Sequence, residues 1–445
     1  MDGLHIKELM KEKKYKKIRK IFITMNEVDI AEILNGLNTH DALLLFRLLP
    51  KDMAVEVFAN INPTKQRKIL TAISDEEIND IVEDLFFDDM IDIIEEMPAH
   101  IVRKILNFAK EEERKLVNQF LNYPEESAGS LMTIEYVELR EHMTVGESMH
   151  LIKDAGIKKE TIYNCYVTDE HRVLKGVITL KKLVTSDEKI VVGDIMEKDV
   201  IKVNTHSDQE KVANIFRRYG FIALPVVDNE NRLTGIITVD DVMRVIEQEA
   251  TEDFQVMAAM TPTEEEYINA SVWDLAKNRL PWLLFLMVSA TFTGRIMGRY
   301  EDILTSVAIL GTFVPMLMDT GGNSGSQSST LIIRGLATGD ISVNDGMKII
   351  WKEFRISLTV GFILALTNFL RLMMLEQVGF TIALTVSVTL VVTVVLSKIV
   401  GGILPIIAKK FKLDPAIMAG PLITTIVDAL SLVVYFQIAG RIVGL

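Results

Sequence analysis

One carboxylate, Asp428, lies in the middle of a long apolar run near the C-terminus, PAIMAGPLITTIVDALSLVVYF. Thr424 and Thr425 precede it by about one helical turn, and Ser431 follows it by about one turn, so a helix would place several oxygens on one face. An ionised carboxylate at the centre of a bilayer costs roughly 2.5 kcal/mol or more, and such residues mark ion or substrate pathways. Asp428 is therefore predicted to face a cavity, a partner or an ion.

A block of hydroxyl and amide side chains divides another apolar run, in the segment MDTGGNSGSQSST from Met318 to Thr330. Its three glycines predict a helix that is broken at membrane depth, where freed backbone survives only if protein or a watery cavity covers it. Asn323, Ser324 and Gln327 are then oxygens that line a pore. The alternative is a packing device, since Gly and Ser also let helices approach closely.

Asp319, which begins this block, is a further candidate ligand beside Asp428. The alternative for Asp428 is a buried ion pair with Lys398, or a proton shared with Asp319. Carboxylate, amide, hydroxyl and carbonyl oxygens without Cys or His favour hard cations, above all Mg²⁺ or Ca²⁺. A TVGYG-like potassium filter is absent from the sequence.

Acidic residues also cluster before the apolar region. Asp88 and Asp92 have i, i+4 spacing, with Asp89 beside them, so they share one helical face. A second acidic run comprises Asp240, Asp241, Glu247, Glu249, Glu252 and Asp253. A divalent ion between two such faces would turn repulsion into attraction, which predicts an ion sensor. A solvated, charged helix face is the alternative interpretation.

Composition divides the chain into two parts. The 445 residues are 49% hydrophobic, yet the formal net charge is −13. Of 48 basic and 61 acidic residues, 34 and 51 precede Ser271, so the first part carries −17 and the remainder +4. This favours cations as partners of the first part and disfavours nucleic acid. The single cysteine, Cys165, excludes a disulfide framework and a cysteine-rich metal site.

The elements that would position these residues follow from periodicity. Residues 1–126 show helical spacing of apolar residues, with similar patterns around Pro50 and Pro98, and are expected to form an acidic all-α helical-repeat domain. The N-terminus has no apolar signal-peptide region, so we expect this domain to stay in the cytosol.

Residues 127–248 contain a duplication, because GVITLKKLV from Gly176 is echoed by GIITVDDVM from Gly235. The two units, about 127–190 and 191–248, resemble tandem CBS domains of α/β fold. In that family an Asp two residues after the Thr often binds a nucleotide ribose. Asp240 after Thr238 fits this pattern, whereas Lys181 departs from it in the first unit, so the resemblance makes ATP only a candidate ligand.

Residues 249–277 are interpreted as a connecting helix and residues 278–445 as a membrane domain, because a bilayer core needs ~20 apolar residues per helix. Five spans are predicted: Leu280–Tyr300, Ile303–Leu336, Ile356–Leu375, Val378–Ala408 and Pro415–Val443. Lys and Arg residues are concentrated at the span ends on the N-terminal domains' side, which places the C-terminus outside the cell.

This order of domains, with PMLMDTGGNSGSQ in the second span and DPAIMAGPLITTIVD leading into the fifth, resembles the MgtE family of magnesium transporters over essentially the whole chain. The resemblance implies a homodimeric Mg²⁺ channel of the bacterial inner membrane in which Asp428 anchors hydrated Mg²⁺ and Asn323 contributes to the pore. It implies that cytosolic Mg²⁺ closes the pore through the acidic domains, and that Asp414 bridges to the connecting helix.

The sequence thus predicts a multidomain, multi-pass membrane protein that imports Mg²⁺ and is closed by cytosolic Mg²⁺. The alternative is a nucleotide-regulated secondary transporter of divalent cations that uses Asp428 and Asp319 for coupling. An enzyme is not expected, because HExxH, P-loop, GxSxG and kinase motifs are absent.

Overall fold

Two compact units, Met1–Ile246 and Glu247–Leu445, make up the chain. The structure is a computed structural model and describes residues 3–83, 85–108, 111–156, 159–263, 267–268 and 270–443. Each unit has hydrophobic clusters of its own.

The first unit begins with short helices whose ends are set by capping side chains. Asn26, Asn38, Asn62 and Ser74 each accept a hydrogen bond from a backbone N–H of the following helix, which satisfies donors that have no partner in the first turn. The helices are α1 Gly3–Lys11, α2 Tyr15–Phe22, α3 Glu27–Asn35, α4 Thr39–Phe46, α5 Lys51–Ala59, α6 Pro63–Ala72, α7 Asp75–Val82, α8 Phe87–Glu96, α9 Ala99–Phe108 and α10 Glu111–Phe120.

Two copies of an α/β unit follow the helices. Their elements are α11 Ala128–Leu131, β1 Tyr136–Arg140, α12 Val145–Ala155, β2 Thr161–Thr168, β3 Leu174–Thr179, α13 Leu180–Val184, α14 Val192–Ile195, β4 Val203–Asn204, α15 Gln209–Tyr219, β5 Ala223–Val227, β6 Leu233–Thr238 and α16 Val239–Met257. The sheets have orders β1-β2-β3 and β4-β5-β6, and in each the first pair is parallel and the second antiparallel. The matching topologies confirm the predicted duplication.

The repeated glycines have the same role in both copies. A Cβ on Gly176 would lie 2.5 Å from Met196 Sδ, and a Cβ on Gly235 would lie 2.8 Å from Met132 Sδ. Each glycine therefore leaves room for the methionine that begins the other unit. One hydrophobic cluster contains both helical-domain residues such as Phe58 and second-copy residues such as Leu224.

The second unit consists mainly of long helices. They are α17 Val272–Arg299, α18 Glu301–Ser306, α19 Val314–Ala337, α20 Gly346–Met374, α21 Phe380–Lys410 and α22 Gly420–Val443, with 3₁₀ turns at Ala308–Phe313, Val343–Asp345 and Pro415–Met418. Among the described residues, four helical segments are long and apolar enough to cross a membrane: Val272–Arg299, Val343–Met374, Phe380–Lys410 and Gly420–Val443. The predicted span Ile303–Leu336 is not among them, because α19 carries the polar block.

The predicted break within Met318–Thr330 is wrong, because α19 is continuous from Val314 to Ala337. The glycines serve close packing instead. A Cβ on Gly321 would lie 2.9 Å from Ser431 Oγ of α22, and a Cβ on Gly401 of α21 would collide with the carbonyl oxygen of Gly325. The alternative interpretation of these glycines, as a packing device, therefore describes the helix correctly.

The connecting stretch also differs from a single helix over 249–277. α16 continues from the second α/β copy to Met257, and α17 begins only at Val272. Within the second unit, Val256 and Met257 pack against Ile333, Ala416 and Ala419.

Candidate functional site

A polar stripe runs along α19. Asp319, Asn323 and Gln327 follow at intervals of four residues, and each residue is exposed in the single chain. Asn323 Nδ2 donates a hydrogen bond to Asp319 Oδ1 at 3.1 Å. Ser324, predicted to share this face, is instead buried. The glycines pack on one side of α19, which leaves these oxygens on another.

Helix α22 brings Asp428 to this stripe. A Cβ on Gly322 of α19 would lie 2.9 Å from Thr424 Cγ2, and a Cβ on Gly321 would lie 3.0 Å from Cγ1 of Val427, the residue before Asp428. Asp428 is half-buried, and the Thr424 hydroxyl donates to the Pro421 carbonyl oxygen at 2.9 Å. The structure therefore places carboxylate, amide and hydroxyl oxygens on two packed helices, a donor set that suits Mg²⁺ or Ca²⁺.

Lys398, the alternative partner of Asp428, makes a different contact. Its Nζ lies 3.5 Å from Gln327 Oε1, and the side chain is buried in α21. Within the described residues no ion pair joins Lys398 to Asp428. Nearby on α19, Ser328 Oγ donates to the buried carboxylate of Glu353 at 2.6 Å. Among the described residues Lys398 is therefore paired with Gln327 and not with Asp428.

A second group of carboxylates lies in the first unit, where α8 meets the first α/β copy. One oxygen from each of Asp88, Glu135 and Glu160 lies within 4.8 Å of the other two, and we call this group the carboxylate triad. Asp88 Oδ1 is buried and has no hydrogen-bond partner among the described residues. Glu135 accepts a hydrogen bond from the Phe87 backbone N–H at 3.1 Å, at the first turn of α8. Three oxygens this close fit a hard divalent cation.

The electrostatics of the triad agree with this fit. Burial, reinforced by the charge of Asp241, raises the pKa of Asp88 to about 9. Burial and the charge of Asp240 raise the pKa of Glu160 to about 7. Burial also raises the pKa of Glu135, and it raises the pKa of Asp89 to about 6 against the opposing effect of Arg244. At pH 7 the triad therefore holds protons that a bound cation would displace.

The predicted partner of Asp88, Asp92, lies in a different environment. Asp92 Oδ2 is 3.5 Å from Arg244 Nη1, and the same guanidinium contacts the buried carboxylate of Asp241. The shared helical face of Asp88 and Asp92 is thus divided between the triad and an arginine.

The nucleotide-like motif of the second copy has two acidic residues in different environments. The Thr238 hydroxyl donates to Asp241 Oδ2 at 2.7 Å, whereas Asp240 is exposed. Asp241 is the third residue of α16, which begins at Val239, so its side chain reaches back to Thr238, the residue that precedes the helix. In the first copy Thr179 accepts from the backbone N–H of Lys182, so a lysine occupies the corresponding position.

The remaining predicted acids lie in the second unit. Glu247 is exposed, and Glu249, Glu252 and Asp253 are partly exposed on the second half of α16. The Asp414 carboxylate accepts a hydrogen bond from the Ala416 backbone N–H at 2.8 Å and so begins the 3₁₀ turn before α22. The contact between the end of α16 and this turn is apolar.

Sequence reasoning missed Glu135, Glu160 and the contacts of Arg244. Glu135 and Glu160 stand singly before β1 and β2, far along the chain from α8, so no local spacing connects them with Asp88. The parallel pairing of β1 with β2 is what brings them together. Only the three-dimensional fold connects these residues with Asp88.

Comparison with known families agrees with this division of the chain. A divalent cation transporter model matches residues 314–438, the MgtE intracellular N domain matches 25–126, and the CBS domain matches 128–188 and 192–248. The magnesium transporter MgtE of Thermus thermophilus is 36% identical over 98% of this chain and 97% of its own length. That of Bacillus subtilis is 31% identical over 98% and 96%.

Solved structures resemble the first unit. The soluble part of a magnesium transporter matches 56% of this chain and 98% of its own, with 29% identity and a TM-score of 0.51. The cytosolic domain of the Mg²⁺ channel MgtE in complex with ATP matches 55% of this chain and all of its own, with 35% identity and a TM-score of 0.52. The full-length identity and the three family matches show that this chain belongs to the MgtE family of magnesium transporters.

Proposed function

We propose that this protein is a Mg²⁺ channel of the bacterial cell membrane that imports Mg²⁺ and is closed by cytosolic Mg²⁺. The observation that carries the transport part is the close packing of α22, next to Asp428, against α19, which carries Asp319 and Asn323. Lipid cannot stabilise two carboxylates on packed helices, whereas a cation that passes between them can.

The proposed domain division gives each part a role. Residues 1–126 and 127–248 form the cytosolic sensing module, 249–277 connect it to the membrane, and 278–445 form the membrane domain with five helices. The fifth crossing is α19, whose polar stripe lowers its hydropathy because it faces water rather than lipid. This arrangement leaves the C-terminus outside the cell.

A homodimer would complete the pore. In the single chain the stripe on α19 is exposed, although it belongs to a membrane domain. A second copy facing it would enclose two sets of carboxylate, amide and hydroxyl oxygens. Mg²⁺ gives up its waters reluctantly, so such a site would bind it largely hydrated.

Closure by Mg²⁺ is supported by the carboxylate triad. An ion bound there joins α8 of the helical domain to the first CBS copy, because Asp88 comes from the former and Glu135 and Glu160 from the latter. The second half of α16 packs by Val256 and Met257 against the turn that begins α22, which carries Asp428. α16 is therefore the element through which we expect the sensing module to act on the pore.

The nucleotide-regulated alternative rests on the ATP complex of the related cytosolic domain. Here the candidate ribose ligand Asp240 is exposed, whereas Lys181 stands at the corresponding position of the first copy. Only one copy therefore offers the acidic ligand, and both positions lie in the CBS pair, which favours a regulatory role for ATP.

Mg²⁺ flux into liposomes that contain the full-length protein separates the two functions. A channel conducts Mg²⁺ down its gradient at the same rate after proton and Na⁺ gradients are abolished. Flux that stops when either gradient collapses would establish the secondary transporter and overturn the channel.

A further inference from the structure

Arg244 is a positive charge between acidic residues of two domains. Its side chain on α16 contacts Asp241 of the same helix and lies 3.5 Å from Asp92 of α8. The negative charge of Asp89, also on α8, acts on it as well. We call this group of acids, Asp89, Asp92 and Asp241, the α8–α16 patch.

The carboxylates of the patch repel one another, and Arg244 lies among them. Three carboxylates from two packed elements destabilise that packing unless a cation lies between them. A divalent ion could supply this positive charge, but it binds only when its concentration in solution is high enough to fill the site. A guanidinium on one of the two elements is always present, and its planar donors suit carboxylates.

Among the described residues, no basic side chain forms an ion pair with the carboxylate triad. The charges of Asp241 and Asp89 act on Asp88, and those of Asp240 and Asp241 act on Glu160, whereas the charge of Lys159 acts on Glu135. Two acidic groups therefore connect α8 to the CBS pair, and within the described part of the chain only the α8–α16 patch is ion-paired to a basic side chain.

We propose that Arg244 replaces a diffusible ion in the α8–α16 patch, so that the helical domain is partly held to the CBS pair before any Mg²⁺ binds. This rests on the proposed function, because it concerns the same closure. The triad is then the site at which binding of a divalent ion shifts the equilibrium between separated and associated states of the helical domain and the CBS pair. Closure accordingly needs fewer ions and occurs at lower Mg²⁺ than a patch of acids alone would require.

The test is hydrogen exchange of the α8 amides in the full-length protein during a Mg²⁺ titration. Arg244→Gln removes the charge and Arg244→Asp reverses it, while Arg244→Lys keeps it. Arg217→Gln, an exposed arginine on α15, is the matched control. Equal protection of all variants at saturating Mg²⁺ shows that each is folded.

We expect the midpoint of protection to rise about fivefold or more for Arg244→Gln, in the range of ordinary coupling between sites, and to change little for Arg244→Lys and Arg217→Gln. For Arg244→Asp we expect a still higher midpoint and a steeper dependence of protection on Mg²⁺ concentration. The new carboxylate adds a ligand, and its charge requires another bound ion. Midpoints of Arg244→Gln and Arg244→Asp at or below that of the wild type would overturn the proposal. If hydrogen exchange in the wild type does not change with Mg²⁺, the proposed closure itself is overturned.

Discussion

At the scale of single residues, the carboxylates of the membrane site and of the carboxylate triad have different surroundings. Asp428 lies on α22 where that helix packs against α19, which carries Asp319, whereas Asp88 is buried among acids with an oxygen that has no partner among the described residues. A buried polar atom without a partner costs free energy, which a cation bound at this oxygen would offset. The residue types in both sites select hard cations.

The pKa shifts of the triad predict a pH dependence. A carboxyl whose pKa is raised by folding binds its proton more tightly in the folded state. Without Mg²⁺, the packing at the triad should therefore be most stable below the ordinary carboxyl pKa, about 4, and should weaken as pH rises through about 7 for Glu160 and toward about 9 for Asp88.

Mg²⁺ binding should show the opposite trend, because the ion competes with these protons. We expect the Mg²⁺ affinity of the full-length protein, measured by calorimetry, to be higher at pH 8 than at pH 6, with protons released on binding. The triple variant Asp88→Asn/Glu135→Gln/Glu160→Gln should lose this site's contribution to the difference, and Asp199→Asn, an exposed acid of the CBS pair, should retain it. An affinity independent of pH would contradict the assignment.

At the scale of elements, helical periodicity and the duplicated Gly-containing segments predicted the helical domain and the CBS pair, and both are confirmed. The glycines of α19 were misinterpreted as a helix break, because composition does not distinguish a glycine that frees backbone from one that admits a neighbouring helix. Asp428, Asn323 and Asp319 could be selected from sequence since each carries a rare polar group in an apolar segment. Glu135 and Glu160 could not, because polar residues are ordinary in a cytosolic domain.

Close packing of α19 and α21 gives a prediction of its own. Gly401→Ala would place a methyl group against the Gly325 carbonyl oxygen, so we expect a loss of about 1–3 kcal/mol in stability, the usual cost of overpacking. Thermal unfolding in detergent measures it. Gly294→Ala on α17 is the control, since nothing lies within 4 Å of that position. Equal melting temperatures for both variants would show that the helices do not depend on this contact.

At the scale of the whole molecule, α16 begins in the second CBS copy, and its last residues, Val256 and Met257, pack against the turn before α22. In the proposed closure, the strong negative charge of the residues before Ser271 would supply the repulsion that Mg²⁺ relieves. Moving a two-state gate from mostly open to mostly closed takes about 5.5 kcal/mol of differential binding, which several weak ion sites can supply together.

Neutralisation of the sensor should therefore leave the pore open. We expect the triple variant Asp88→Asn/Glu135→Gln/Glu160→Gln to conduct at millimolar cytosolic Mg²⁺, where the proposed mechanism closes the wild type, because the uncharged side chains cannot bind the ion whose bridge holds the helical domain to the CBS pair in the closed state. Patch recordings measure this, with Asp199→Asn as the control. Normal closure of the triple variant would show that the triad is not the sensor.

The role of Asp428 in Mg²⁺ transport can be measured as Mg²⁺ entry into liposomes that contain the full-length protein and enclose a Mg²⁺-sensitive dye. Asp428→Asn keeps the size of the side chain and removes its charge, and Asp302→Asn changes an exposed acid of α18. We predict that wild type and Asp302→Asn admit Mg²⁺, whereas Asp428→Asn is reduced to the level of protein-free liposomes. Undiminished entry through a folded Asp428→Asn protein would show that Asp428 does not bind the transported Mg²⁺.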